Sequence, residues 1–246
     1  MNIGELKGSL VTTLLSQHRP MHCLEHGGYI GYSAILFGST VKTWGGQYTV
    51  IEHNPVFAGV IMVLCSLAGL KNVEVVVGSS TDEIKRLWRE GKLGEVKGAE
   101  KKGLDFVFMD HLKPLYTDDL MVMEELGVVR KGSVVVGDNM VKPGNPRYKK
   151  YVEMSREERK EAGCKGWWNS ECIQSWEPQG VPVSYSRCGG DEGLLNVRRM
   201  PSRFLNTWVS ARFSCSLAGA WLRGISGLGK VWVRGVYIGS LNSMFI

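Results

Sequence analysis

Three residues that can do chemistry directly follow an apolar run in the stretch VFMDHLKPLY, where Asp110, His111 and Lys113 supply a carboxylate, an imidazole and an amine. A second apolar run, in VVVGDNMVKPG, ends in Asp138 and Asn139. A single aspartate at the end of a strand is more often a cap or a solvated turn residue. Two carboxylates and a carboxamide that converge, however, form the all-oxygen ligand set that suits Mg²⁺. The pattern therefore predicts a metal site at Asp110, Asp138 and Asn139.

Lys113 stands three residues after Asp110 on the same predicted loop. An ammonium close to a divalent cation loses its proton more readily, which makes Lys113 a candidate general base. Without the metal set, a surface lysine beside Pro114 is an equally good interpretation. His111 either contacts a cofactor or fills the wall of the loop, and the sequence indicates no role for His26.

A glycine loop, EHGGYIG, follows the first predicted strand. Glycine permits a tight turn and a close approach between ligand and main chain, although an ordinary turn between strand and helix is the simple alternative. Glu52 ends the second strand, about 20 residues farther along, where an acidic residue commonly binds a ribose diol. Together these features favour a nucleoside-containing cofactor.

The spacing of the loop glycines distinguishes between cofactors. A dinucleotide favours G-x-G-x-x-G, which presents a helix N-terminus to the pyrophosphate, whereas this loop has G-G-x-x-G. S-adenosyl methionine carries no phosphate and therefore fits the loop better than NAD does. Gly78, Ser79 and Ser80, after the third strand, would lie beside the adenine or, equally well, form a helix N-cap.

Short apolar strands alternate with helices along most of the chain. Such alternation is typical of βαβ units, so we expect a doubly wound, Rossmann-like α/β fold with a mostly parallel sheet that binds ligands at the carboxyl ends of its strands. The predicted strands are 21–25, 47–52, 73–77, 104–109 and 133–137, and the predicted helices are 4–17, about 32 onward, 54–69, 81–90 and 117–126.

The alternation of apolar strands and helices ends after Lys142. Two short runs, 170–176 and 181–187, predict an antiparallel hairpin added to the sheet. We expect one α/β domain over 1–192 and leave the basic tail, 193–246, unassigned. Seven basic residues and no acidic ones follow Glu192, so residues 1–192 carry a charge of −1 within a net charge of +6.

Composition narrows the class of protein. The six cysteines are scattered without metal or redox spacing, which favours reduced thiols in a cytoplasmic protein. The N-terminal residues lack the pattern of a signal peptide, and no stretch has 18 uninterrupted apolar residues. Since the main domain is nearly neutral, we expect no nucleic-acid partner; we also expect a monomer without a membrane span.

The chain resembles the catechol O-methyltransferase family, and its fungal members most, from Met1 to about Cys188. The resemblance rests on several motifs in the family's order: MNIGELKG, EHGGYIGYS, IEHNP, AGLKNVEVVVGSS, LDFVFMDHLKPLY, VRKGSVVVGDN and KPGNP. It implies that 1–192 is an S-adenosyl-methionine-dependent methyltransferase domain. The implied reaction is a Mg²⁺-dependent transfer of a methyl group from S-adenosyl methionine to one hydroxyl of a small-molecule catechol. Family members carry helices before the segment that matches Met1, and they have an apolar residue where this chain has His26.

The resemblance also assigns roles. Asp110, Asp138 and Asn139 would bind the metal, Lys113 would take the phenolic proton, and Pro143 would help to wall the catechol site. Glu177 would hold the other catechol hydroxyl, although it could be a plain hairpin-turn carboxylate. The implied cofactor contacts are Glu52 on the ribose hydroxyls, Gly27, Tyr29 and Ser33 around the methionine portion, and Ser80 and His111 near the adenine, with Met1, Ile3, Glu25, His53, Gly78 and Asp110 completing the set.

Other functions remain open from the sequence. A related Mg²⁺-dependent enzyme could act on a vicinal diphenol attached to a larger group. A chain with a short N-terminus and an open substrate site could instead bind cofactor without turnover. An NAD-dependent oxidoreductase is disfavoured by the incomplete phosphate loop.

Overall fold

The computed structural model describes residues 3–94, 103–173 and 183–189. The helices in these ranges are α1 (Glu5–His18), α2 (Tyr32–Lys42), α3 (Pro55–Leu67), α4 (Ser80–Arg89), α5 (Tyr116–Leu126), α6 (Pro146–Val152) and α7 (Arg156–Glu161). The strands are β1 (His22–His26), β2 (Gln47–Glu52), β3 (Val73–Val77), β4 (Leu104–Met109), β5 (Val129–Asp138), β6 (Trp167–Ile173) and β7 (Val183–Gly189). A 3₁₀ turn (Lys113–Leu115) precedes α5, and a π-type turn (Met140–Gly144) precedes α6.

The strands form one sheet in the order β3-β2-β1-β4-β5-β7-β6. β1 to β5 run parallel, and the strand order reverses between β1 and β4. This is the doubly wound, Rossmann-like α/β fold that the alternation of strands and helices predicted. In such folds the crevice at the point of reversal is the usual place for a ligand.

The predicted C-terminal hairpin is also confirmed. β7 pairs antiparallel with β5, and β6 pairs antiparallel with β7 at the sheet edge. Each strand lies two or three residues from its predicted position, and the turn between them, with Glu177, lies outside the described residues. The unassigned basic tail, 193–246, likewise lies outside the described ranges.

The sheet separates two apolar clusters, because successive side chains of a strand point to opposite faces. Phe106 and Phe108 of β4 pack with the buried faces of α1 to α3, and Val107 and Met109 pack with those of α4 to α6. β4 is therefore covered on both faces, which explains its continuous apolar sequence. None of the helices in the described part of the chain is long and apolar enough to cross a bilayer.

Candidate active site

The carboxyl ends of three neighbouring strands bring most of the predicted site residues together. His26 at the end of β1 is the register partner of Met109 in β4, and Met109 is the partner of Gly137 in β5. The Asp110 N–H donates to the His26 carbonyl oxygen at 2.9 Å. The loops that carry the candidate residues therefore begin side by side.

Asp138 and Asn139 form a buried oxygen cluster that already binds a positive charge. Lys7 Nζ donates to both Asp138 carboxylate oxygens, at 2.8 and 2.9 Å, and to Asn139 Oδ1 at 3.2 Å. Lys7 and Asp138 are 3% and 1% exposed. Asn139 has a φ of 60°, an uncommon left-handed conformation for a non-glycine residue and one that occurs often at functional loops.

Lys7 was missed by the sequence reasoning, although a signal was present. Lys7, Val11 and Leu15 are spaced by four, so they share one face of α1, and all three are buried. A lysine on an otherwise apolar helix face needs a buried acidic partner. That partner is 131 residues away in the sequence, which is why the pattern alone could not identify it.

Asp110 lies close enough to Asp138 for the two carboxylates to repel. Burial raises the pKa of Asp110 to about 6; the Lys113 ammonium opposes this shift and the Asp138 carboxylate adds to it. Two acidic groups crowded in this way are stabilised by a cation between or beside them.

These residues fit the predicted magnesium ion. All three offer oxygen atoms, the ligand type that Mg²⁺ prefers. The Lys7 contacts show independently that the Asp138 and Asn139 oxygens turn toward a common positive charge. Asp110, Asp138 and Asn139 are therefore the residues that could hold the ion.

Lys113 is held in place by three contacts. Its Nζ donates to Asp110 Oδ1 at 3.0 Å and to the Tyr116 hydroxyl at 2.7 Å. Its carbonyl oxygen accepts from Asn145 Nδ2 at 2.7 Å. Tyr116 in turn donates to the Met109 carbonyl oxygen at 2.5 Å. Tyr116 and Asn145, which the sequence reasoning did not single out, thus position the predicted base.

The glycine loop is closed by Glu52. Its Oε2 accepts from the Gly28 and Tyr29 N–H groups at 3.0 and 2.9 Å, and its Oε1 accepts from the Asn54 N–H at 2.8 Å. Gly27 has a φ of 82°, and a Cβ on it would lie 2.9 Å from His111 Cα. Only glycine permits this approach of the loop to the segment after β4.

Glu25 lies fully buried beneath the same loop and accepts a hydrogen bond from the Ser33 hydroxyl. Burial raises the pKa of Glu25 to about 8, although the Ser33 hydrogen bond opposes the shift. A protonated carboxyl is therefore the main form at neutral pH.

On the side of the predicted adenine position, Ser80 and His111 meet at Asp119 in α5. Ser80 Oγ donates to Asp119 Oδ2 at 2.5 Å, and His111 Nε2 lies 2.8 Å from the same oxygen. The Thr81 hydroxyl donates to the other oxygen. Asp119 was missed because it lies inside a helix, eight residues beyond His111.

The remaining predicted residues are more scattered. Tyr29 projects from the glycine loop with a φ of 47° and packs edge-to-face on Phe57 at 4.9 Å. Gly78 donates its N–H to the Glu52 carbonyl oxygen at 3.1 Å. His53 and Pro143 are exposed in their loops.

The last predicted residues are Ile3, Met1 and Glu177. Ile3 is 1% exposed and packs in the apolar cluster beneath α1 and α2. Met1 and Glu177 lie outside the described residues, so their roles stay predictions.

Comparison with known proteins identifies the family. The family model for O-methyltransferases matches residues 1–160. The catechol O-methyltransferase of Sus scrofa is 37% identical over 153 residues, which is 62% of this chain and 77% of that protein. The catechol O-methyltransferase of Mus musculus is 35% identical over 156 residues, 63% of this chain and 56% of the murine protein. The chain thus spans little more than half the length of the murine and bovine relatives.

Solved structures show the same fold at lower identity. An O-methyltransferase from Bacillus cereus in complex with SAH aligns with a TM-score of 0.61 at 18% identity, over 76% of this chain and 82% of that one. TomG from Streptomyces achromogenes in complex with SAM aligns with a TM-score of 0.57 at 23% identity, over 75% and 80% of the two chains. Since the family model covers more than half of the chain and the porcine relative is covered over most of its length, the chain belongs to the catechol O-methyltransferase family.

Proposed function

We propose that the protein transfers a methyl group from S-adenosyl methionine to one hydroxyl of a catechol, with Mg²⁺ bound by Asp110, Asp138 and Asn139. The observation that carries the proposal is the buried oxygen cluster, which binds an ammonium in this structure and lies at the same strand ends as Lys113. The names of the porcine and murine relatives support the substrate class.

In this proposal the metal ligands come from the ends of two adjacent strands. When bound, Mg²⁺ acts as a Lewis acid toward the catechol oxygens. Asp138 must exchange its contacts with Lys7 for the metal, whereas Asp110 can keep Lys113 on its outer side. The ends of β4 and β5 fix the spacing of these ligands, because the two strands pair up to Met109 and Gly137.

Lys113, once its ammonium has released a proton to solvent, is the proposed acceptor of the phenolic proton. A free phenol has a pKa of about 10, so the hydroxyl needs a base at neutral pH. Asp110 and Tyr116 contact the amine itself, and Asn145 fixes the main chain of Lys113 through its carbonyl oxygen. Glu177 is proposed to accept a hydrogen bond from the second hydroxyl.

The cofactor is proposed to lie across the glycine loop. Glu52 would bind the ribose hydroxyls from the end of β2 while it keeps the loop amides of Gly28 and Tyr29 in place. Ser33 and Gly27 would face the methionine portion, and Ser80 and His111 the adenine. Such a pose directs the methyl group toward the strand ends that carry the metal ligands.

The test is methyl transfer from labelled S-adenosyl methionine to a simple catechol, with Mg²⁺ or with a chelator. We expect metal-dependent product from the full chain and a loss of roughly 1,000-fold for Asp138→Ala, because a catalytic metal supplies several kcal/mol of transition-state stabilisation. The matched control is Asp118→Ala, which removes an exposed aspartate that pairs with Arg147.

Two readouts make the result decisive. Calorimetry with S-adenosyl methionine and a thermal unfolding curve establish that each variant folds and binds cofactor. If the chain binds S-adenosyl methionine but forms no product from any diphenol in a panel, the proposed methyl transfer is refuted. That result would favour a protein that binds the cofactor without turnover. Product only from diphenols with larger substituents would refute a simple catechol as the substrate.

A further inference from the structure

His26 is a buried histidine that the proposed reaction does not use. It is the last residue of β1 and is 0% exposed. Neither of its ring nitrogens has a hydrogen-bond partner among the described residues. A buried polar group without a partner costs about 1–3 kcal/mol, so its presence calls for a physical explanation.

A second imidazole and a carboxylate lie against His26. His26 Nδ1 is 3.7 Å from Asp119 Oδ2, and His111 Nε2 is 2.8 Å from the same oxygen. The two imidazole centroids are 5.1 Å apart. One ligand atom from each residue lies within 4.8 Å of the other two. The three residues come from β1, the segment after β4, and α5, so the fold rather than local sequence assembles them.

This ligand set differs from the oxygen cluster in chemistry. Two imidazole nitrogens and one carboxylate oxygen suit Zn²⁺ and similar transition metals, not Mg²⁺. Zn²⁺ binds such atoms at about 2.0–2.2 Å, which places tetrahedral ligands roughly 3.4 Å apart. The Nδ1–Oδ2 and Nε2–Oδ2 distances lie on either side of that value, so modest side-chain rotations complete the geometry.

The surrounding contacts also suit a metal. The hydroxyls of Ser80 and Thr81 donate to Asp119 and orient its carboxylate, as outer-shell residues do in metal sites. The His111 side chain is 10% exposed, which leaves a route from solvent.

We propose that His26, His111 and Asp119 form a second metal site, which binds Zn²⁺ or a similar transition metal and is separate from the oxygen cluster. The ion satisfies the buried His26 nitrogen and connects β1 to α5. The site stands on this geometry alone and does not depend on methyl transfer.

The test uses Co²⁺ as a spectroscopic probe and Zn²⁺ as its competitor. Co²⁺ is titrated into the full chain with excess Mg²⁺ present, so that the oxygen cluster is occupied. We expect one equivalent to give the intense visible bands of tetrahedral cobalt, without thiolate charge-transfer absorption, and Zn²⁺ to abolish them. Thiolate charge-transfer bands would show that cysteines bind the metal and would overturn the proposal.

Two variants and one control locate the binding. His26→Leu removes a ligand and fills the buried space with an apolar side chain; Asp119→Asn removes the anionic ligand. Each should weaken Co²⁺ binding by roughly 100-fold or more, since loss of even an outer-shell partner costs about 10- to 100-fold. His18→Gln, at an exposed histidine of α1, should bind as the parent does.

The outcomes separate a metal site from a metal-free cluster. Without metal, His26→Leu should unfold at the same or a higher temperature, because it removes a buried imidazole whose nitrogens make no hydrogen bond among the described residues. With Zn²⁺, it should lack the stabilisation that the metal gives the parent. Equal Co²⁺ affinity in the parent and in His26→Leu would refute the site, as would the absence of stoichiometric binding to the parent.

Discussion

Asp138 and Asp119 are buried at the same edge of the sheet but are stabilised by different partners. Asp138 is paired with the ammonium of Lys7, whose three contacts lie between 2.8 and 3.2 Å. Asp119 has no ammonium among its described contacts and instead accepts from the hydroxyls of Ser80 and Thr81, with His111 at 2.8 Å. The Asp138 carboxylate is thus stabilised by an ammonium, and the Asp119 carboxylate by hydrogen-bond donors.

The different partners of Asp138 and Asp119 indicate which kind of ion each carboxylate can bind. A carboxylate paired with an ammonium can exchange it for another cation, so the Asp138 region suits a hard metal ion. At Asp119, burial acts to raise the pKa of the carboxyl, but hydrogen bonds from His111 and the neighbouring groups outweigh it and lower the pKa below its ordinary range. The carboxylate therefore stays ionised without an ammonium or guanidinium partner among the described residues.

Glu25 is a buried acid that has neither an ammonium partner nor enough hydrogen-bond donors to stay ionised. It is fully buried, accepts a hydrogen bond from Ser33, and has a pKa raised to about 8. One hydroxyl does not offset the desolvation of a buried carboxylate. The three acids thus form a series, and three of the four changes below each test one member of it.

The largest effect is expected for Lys7→Met, which leaves Asp138 buried without its cation. Removal of one partner of a buried ion pair costs about 3–5 kcal/mol, so the free energy of unfolding should fall by that amount in metal-free buffer. Urea denaturation with and without Mg²⁺ measures it. Mg²⁺ should recover much of the loss, because it supplies the missing charge.

Lys71→Met is the control for Lys7→Met, since Lys71 is exposed. We expect it to change stability by less than about 0.5 kcal/mol. The same loss for Lys7→Met in Mg²⁺ and in chelator would contradict the view that ammonium and metal use the same oxygens.

The second effect is a pH dependence that originates in Glu25. Its folded-state pKa lies above the ordinary value of 4.5, so between pH 5 and 8 the folded chain retains a proton that the unfolded chain has released. Stability therefore falls as pH rises, by on the order of 3 kcal/mol across this window. Urea denaturation at several pH values should show this decline in the parent.

Glu25→Gln should abolish most of the decline, because the amide does not titrate. Glu74→Gln, at an exposed glutamate of β3, should retain it. Parallel pH profiles for the parent and Glu25→Gln would show that Glu25 is ionised in the folded chain.

A third change tests the close backbone approach between the glycine loop and the segment that carries Asp110 and His111. In Gly27→Ala the new Cβ would lie 2.9 Å from His111 Cα and 3.0 Å from the Asp110 carbonyl oxygen. Together with the left-handed φ, this should lower the free energy of unfolding by about 2 kcal/mol or more. It should also weaken binding of S-adenosyl methionine in calorimetry.

Gly45→Ala is a matched control, because Gly45 has a φ of 83° but no atom within 4 Å of its ideal Cβ. It should show only the conformational cost of about 1 kcal/mol. If both alanine variants lower the free energy of unfolding equally, the close approach between the glycine loop and His111 does not contribute to stability.

The smallest effect is expected for Ser80→Ala, which removes one neutral donor from Asp119. A hydrogen bond to a charged group contributes about 1–3 kcal/mol, and Thr81 and His111 still satisfy the carboxylate, so we expect a loss near 1 kcal/mol. Since the pKa of Asp119 is depressed, this contribution is present at neutral pH and fades as acid protonates Asp119.

Ser79→Ala is the control for Ser80→Ala, because Ser79 makes no side-chain capping bond to α4. Urea denaturation at neutral and acidic pH compares the two. A loss for Ser80→Ala that persists unchanged below the pKa of Asp119 would show that Ser80 stabilises α4 and not the carboxylate.

The sequence by itself determined the order of strands and helices and the position of most site residues. The alternation of apolar runs with helical spacing is local information, so the five parallel strands could be predicted within a few residues. Because parallel strands end at one edge, Asp110, Asp138 and Asn139 could be assigned to one place from the order of the elements alone. The hairpin was predicted in kind but displaced by two or three residues, because element boundaries depend on pairing across the sheet.

Only the tertiary structure decided which charges face one another. Lys7 and Asp138 are 131 positions apart, and Ser80 and Asp119 are 39 apart. The cluster of His26, His111 and Asp119 is equally invisible in the sequence, since its members come from three different parts of the fold. The preference of a buried charge for a partner is general, but the identity of that partner depends on the packing of α1, β1 and α5 against the sheet.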